Sequence, residues 1–179
     1  ASLAGLRAVE SLRQLGFDCF HYCLGYGADL VLLVLSRIDD GYSSSSSVDD
    51  RSDGTAGAVV GSLGWLKDRF AVINGDTLME MSNGWDVTRA DFPSILTTNE
   101  GIDCGMYLLT REIVNSLRPG FLPSELRRLG VPTHRCCREF VDIGTPAGLT
   151  RTRAQLAARR TLEDGIDARM RAKFLEGVK

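Results

Sequence analysis

An aliphatic run, Ala71-Val72-Ile73, follows Phe70 and ends on Asn74-Gly75-Asp76; no other stretch restricts the fold as much. It is too apolar for a strand with one wet face, so it predicts a buried parallel strand. Parallel strands belong to chains that alternate β and α elements, which makes this an α/β domain by expectation. In open α/β sheets, ligands sit beyond the carboxyl ends of the strands. Asp76 falls there, after a glycine that frees the turn. A carboxylate so placed suits a hard divalent cation holding phosphates. Asn-Gly-Asp is equally at home in an ordinary turn, so the motif needs company before it means chemistry.

Upstream, Gly54-Thr55-Ala56-Gly57-Ala58 reads as a small-residue turn opening a short helix with Val59, Leu63 and Leu66 on one stripe. Glycines at 54 and 57 let the backbone approach a flat or anionic ligand, because no Cβ intervenes. The amides that start the helix would point at a phosphate or a base edge. Downstream, Phe140-Val-Asp142-Ile-Gly-Thr145-Pro146 repeats the logic of the first aspartate. A strand ends on a carboxylate, glycine turns the chain, and Thr145 caps a helix with Pro146 at its first position. Two aspartates of this kind can hold magnesium while substrate phosphates fill the remaining positions.

The other segments fit around these two. Leu3, Leu6, Val9, Leu12 and Leu15 make residues 2 to 15 an amphipathic helix, with Gly16 just past its end. Residues 17 to 24 read as an interior strand and residues 28 to 35 as a helix. Cys19, His21 and Cys23 alternate onto one strand face, but no second half of a zinc site follows, so they read as buried strand residues. Residues 39 to 53, with serines 43 to 47 among aspartates, are expected as a mobile surface loop, with strand pairing of part of it as the alternative. Residues 92 to 96 and 105 to 109 predict strands. Thr110 caps a helix through Leu117, a short helix runs from Pro123 to Leu129, and strands follow over 131–133 and 136–141.

With 179 residues the chain has the length of one domain. The expected division is a domain over residues 1–160 and a helical tail over 161–179, with docking on the domain or on a partner subunit of a homo-oligomer as the two alternatives for the tail. A net charge of −2 gives no electrostatic footprint for nucleic acid or an anionic membrane. The longest apolar block, Leu30 to Leu35, is far short of a membrane span. Five cysteines lack a disulfide-framework spacing, and no secretory signal is visible, so reduced thiols in the cytoplasm are expected.

Taken in order, Gly54–Ala58, Phe70–Leu78, Asp103-Cys-Gly-Met-Tyr107 and Phe140–Pro146 resemble the motifs of sugar-1-phosphate nucleotidyltransferases. Among these the chain looks closest to the mannose-1-phosphate and heptose-1-phosphate guanylyltransferases. The resemblance implies a three-layer α/β/α, Rossmann-like mixed sheet of the nucleotide-diphospho-sugar transferase type. It also implies a reaction: transfer of a nucleotidyl group from GTP to a sugar 1-phosphate, with pyrophosphate released and Mg2+ required. Asp76 and Asp142 would be the catalytic metal ligands. Gly54, Thr55, Ala56 and Gly57, with Asn74 and Gly75, would contact the nucleotide. Asp103 and Gly105 would line the sugar pocket, at the place where the family commonly has asparagine before small residues. The family opens with a strand, an arginine-bearing glycine-rich loop and a Pro-Lys-Pro segment, and this sequence starts after their place. Lys67, Lys173 and Lys179 are its three lysines, none of them in that position. The alternative is a family member that keeps the fold as a regulatory or assembly subunit.

Overall fold

In the computed structural model, residues 9, 12–36, 43–49 and 53–154 are described. The chain clusters into two compact units, Ala1–Phe140 and Val141–Lys179. The expected boundary at 160/161 and the tail beyond it lie outside the described residues.

The first unit opens with a parallel βαβ arrangement. Strand β1 (Cys19–Leu24) leads through helix α1 (Ala28–Leu35) to strand β2 (Ser43–Val48), which pairs with β1 from Cys19↔Ser43 to Leu24↔Val48. Ahead of it, Val9 and residues 12–14 are helical, and Gly16 takes φ +91° just past the helix end. Leu12 is buried as the amphipathic pattern expects.

Part of the serine segment pairs as a strand, the alternative stated above for residues 39 to 53. Its signal comes from the partner strand rather than from its own side chains: His21 Nδ1 and Nε2 lie 2.8 Å and 2.9 Å from the hydroxyls of Ser45 and Ser47. The expectation of an interior strand over residues 17 to 24 is corrected: among the described residues β1 has one neighbour, and Cys19 and Cys23 are exposed rather than buried.

A five-stranded mixed sheet follows, in the order β3-β6-β5-β7-β4. Its strands are β3 (Arg69–Ile73), β4 (Thr77–Met81), β5 (Ser94–Thr98), β6 (Asp103–Thr110) and β7 (Thr133–Asp142). β3 pairs antiparallel with β6, β6 antiparallel with β5, and β5 parallel with β7. β3 and β7 therefore run in the same direction. The expectation of a parallel pairing for β3 is corrected: it lies at one end of the order, against an antiparallel neighbour. Its apolar run has another cause. Phe70 and Val72 belong to one apolar cluster, Ala71 and Ile73 to another, so both faces are covered.

The same division continues across the sheet. Tyr107, Leu109 and Ile95 join the first cluster, while Cys104, Met106, Leu108 and Leu96 join the second. Alternation along a strand sends successive side chains to opposite faces, so these are the two faces of one sheet. Helix α2 (Gly54–Gly61) contributes Ala56 and Val59 to the first cluster. Helices α3 (Arg111–Val114) and α4 (Leu122–Arg128) add Val114, Leu122 and Leu126. The second cluster is closed by Leu12 together with Met79, Met81, Trp85, Val87 and Phe92. Burying one such leucine stabilises by about 1.5–3 kcal/mol.

Adjacent cysteines 136 and 137 both sit in the second cluster, which strict alternation forbids. A register shift resolves this: Thr97 faces Arg135 but Thr98 faces Cys137, so Cys136 is the extra residue of a bulge. Burial pushes the Cys136 thiol up to about 12, while the hydrogen bond with Cys137, and then burial, push that of Cys104 well above its ordinary value. Cys23, though exposed, has its Sγ 3.0 Å from Ser62 Oγ. Its thiol is raised too, chiefly by burial. Titration of the folded chain with a thiol reagent is therefore expected to modify Cys19 quickly and Cys23 slowly. Cys104, Cys136 and Cys137 should react on unfolding; rapid modification of all five in the folded chain would contradict this core.

In the second unit, residues 146–154 are helical. Thr145 caps them as expected: its Oγ1 accepts the Gly148 amide at 3.0 Å, and Pro146 takes the first helical position.

Candidate active site

The turn Asn74–Asp76 joins β3 to β4, and Asp76 is exposed at its end. The Thr77 amide closes the turn on the Asn74 carbonyl at 3.2 Å. The Thr77 hydroxyl lies 3.5 Å from Asp76 Oδ1.

Beneath this turn the neighbouring strand is irregular. Tyr107 of β6 faces Ile95 and Asp103 faces Thr97, so four residues of β6 span two of β5. Gly105, in the middle, takes φ +76°, a left-handed conformation open to glycine at little cost. The Gly105 carbonyl accepts the Asn74 amide at 3.0 Å. A Cβ on Gly105 would lie 2.9 Å from Asn74 Nδ2 and 3.0 Å from Thr77 Oγ1, so the two turns are in close contact.

Asp103 secures the bulge. Its Oδ1 accepts the Gly105 amide at 2.9 Å, and its Oδ2 lies 3.1 Å from Arg127 Nη2. The phenol of Tyr107 is pushed above its ordinary value by burial, by the Asp103 charge and by its hydrogen bond to that carboxylate. Asn74, Gly75, Asp76, Asp103 and Gly105, drawn from two distant stretches of sequence, thus form one cluster. Sequence reasoning missed Arg127. An arginine on the exposed side of a short helix carries no local signal that it reaches a carboxylate 24 residues away.

Gly54, Thr55, Ala56 and Gly57 are placed differently from the expected turn: they form the first turns of α2 itself. Gly54 takes φ +70°, and an added Cβ would collide with the Gly120 carbonyl. That same oxygen accepts the Ala56 amide at 2.9 Å. Thr55 Oγ1 accepts the Leu122 amide at 2.9 Å, while a Cβ on Gly57 would meet the Asp53 side chain. These small residues therefore admit the chain's own loop. Gly54 and Thr55 remain exposed; Ala56 and Gly57 are buried. Leu63 and Leu66 follow the helix rather than continue it, and their carbonyls are held by Arg111 Nη1 at 2.7 Å and 2.6 Å.

Asp142 is the last residue of β7, the neighbour of β4 in the sheet order. Its carboxylate lies outside what the structure describes. Among the described residues no group of three or more His, Cys, Asp or Glu side chains forms a metal cage. None of their helices is long and apolar enough to cross a membrane.

HddC from Yersinia pseudotuberculosis matches the chain with a TM-score of 0.63 at 20% identity, over 81% of each chain. The same enzyme complexed with GMP-PN matches equally well, at 19% identity. UDP-glucose pyrophosphorylase complexed with UDP-glucose gives 0.65 at 14% identity, over 86% of each chain. A putative glucose-1-phosphate thymidylyltransferase from Bacillus anthracis gives 0.61 at 19%, over 84% of this chain and 80% of that one. The fold resembles that of sugar-1-phosphate nucleotidyltransferases. No family model matches the sequence, and no curated protein does. At these identities the likeness is one of fold.

Proposed function

We propose that the chain is the fold of a sugar-1-phosphate nucleotidyltransferase in its three-layer form, acting on GTP and a sugar 1-phosphate. The observation that carries this reading is the exposed Asp76, on a turn seated against the Gly105 bulge, beyond the end of β3. Fold and position agree, since α/β sheets bind ligands beyond their strand ends.

In the proposed reaction a phosphate oxygen of the sugar 1-phosphate attacks the α-phosphorus of GTP. A new P–O bond forms, the bond from the α-phosphorus to the bridging oxygen breaks, and pyrophosphate leaves with that electron pair. Asp76 and Asp142 would hold Mg2+, and the donor chemistry fits: the Asn74–Thr77 turn offers carboxylate, amide and hydroxyl oxygens, the hard ligands Mg2+ selects. Bound there, Mg2+ would supply charge neutralisation between two anionic substrates. Exposed Gly54 and Thr55 would meet the nucleotide, and Asn74 and Gly75 would border it. Asp103 would border the sugar. Guanine is favoured by the match to the GMP-PN complex, and a nucleotide-sugar product by the match to the UDP-glucose complex.

A second reading has its own support. The Asp103 carboxylate, set where the sugar would lie, is engaged by the Gly105 amide and by Arg127. The start of α2 is likewise engaged by the loop at Gly120. A subunit that keeps the fold for regulation or assembly would look like this. The test is incubation with Mg2+, GTP and a panel of sugar 1-phosphates, with pyrophosphate and GDP-sugar measured together with GTP binding. Turnover supports the enzyme, and binding without turnover supports the regulatory subunit. Neither turnover nor binding overturns both readings.

A further inference from the structure

Arg127 lies in the last turn of α4, outside the residues assigned above. Its guanidinium and the Gly105 amide take opposite oxygens of the Asp103 carboxylate. Gly105 in turn receives the Asn74 amide and has no slack against Asn74 and Thr77. An unbroken line of polar and steric contacts thus runs from α4 to the turn bearing Asp76.

We propose that Arg127 is a positioning residue: by orienting Asp103 it fixes the Gly105 bulge, and through it the Asn74–Asp76 turn. The proposal rests on the reading of Asp76 as a cation ligand. Stability does not account for the pair. The Arg127 side chain is 55% exposed, and exposed ion pairs contribute about 0–1 kcal/mol. Geometry accounts for it better, because a left-handed bulge held by one carboxylate shifts when that carboxylate turns. The opposite end of the same segment grips the start of α2 through Gly120 and Leu122. Helix α4 is therefore anchored independently of Arg127 and offers a fixed point from which to hold Asp103.

Arg127→Gln and Arg127→Lys in the full chain test this. In the glutamine variant the amide resonances of Gly105, Asn74, Gly75 and Asp76 are expected to shift, and in the lysine variant to return toward wild type. The melting temperature should stay within about 2 °C of wild type. Affinity for Mn2+ in the presence of GTP, read by electron paramagnetic resonance, should fall about tenfold in the glutamine variant. That is the low end for groups that support a metal ligand. Shifts confined to Asp103 and α4, or an unchanged Mn2+ affinity, would overturn the proposal. A wild-type chain that takes up no Mn2+ while the resonances still move would leave Arg127's hold on the turn standing and overturn the cation reading of Asp76.

Discussion

Asp76→Asn is expected to lower Mg2+-dependent pyrophosphate release by about two to three orders of magnitude, the usual loss when a group that stabilises transferring charge is removed. The substitution keeps the size of the side chain and one oxygen for the Thr77 hydroxyl. It leaves the backbone bonds of the turn, Thr77 to Asn74 and Asn74 to Gly105, untouched. Because Asp76 is exposed, stability should change by no more than about 0.5 kcal/mol. What is lost is one negative charge at the place where a divalent cation and phosphates would meet. Phosphoryl transfer offers the protein little covalent work, so positioned charge accounts for most of the catalysis. Turnover equal to wild type would remove Asp76 from the mechanism.

Gly54→Ala is expected to cost about 2–5 kcal/mol of stability and to lower the melting temperature by about 4–20 °C. Two effects add. An alanine at φ +70° is disfavoured by about 1–2 kcal/mol, and its Cβ, meeting the Gly120 carbonyl, forces a backbone shift that costs about 1–3 kcal/mol more. That shift pulls on the bonds from Ala56 and Leu122 that join α2 to the loop. Gly84→Ala isolates the first effect. Gly84 also has positive φ, +78°, but an added Cβ there meets nothing within 4 Å. Its loss should be the smaller by the size of the collision. Equal losses in calorimetric unfolding would mean that the close packing of Gly54 on Gly120 contributes nothing.

The parts of this fold that were readable from sequence are those with a local cause. Thr110 caps α3 through the Ile113 amide, and Thr145 caps the helix after β7, because a hydroxyl one residue before a helix is itself the signal. β6 was readable as a compact apolar run because both its faces are buried. What escaped has its cause elsewhere in the chain. β2 is a row of serines that becomes a strand by pairing with β1 and bonding His21. β3 was read as parallel because a run buried on both faces looks the same whichever way its neighbour points. Neither bulge leaves a pattern that composition betrays, yet one buries both Cys136 and Cys137 and the other sets Gly105 against Asn74 and Thr77. For the site, the glycines at 54 and 57 are legible as places of close approach to a ligand, but the approach observed is the protein's own, by Gly120 and Asp53; the approach of Gly105 to Asn74 has no signal in the sequence.

Electron paramagnetic resonance of Mn2+ in the presence of GTP tests most directly the proposed roles of Asp76 and Asp142 as cation ligands. One Mn2+ per chain is expected in the wild type, with binding abolished by Asp76→Asn and, separately, by Asp142→Asn. Full occupancy in both variants would contradict those roles.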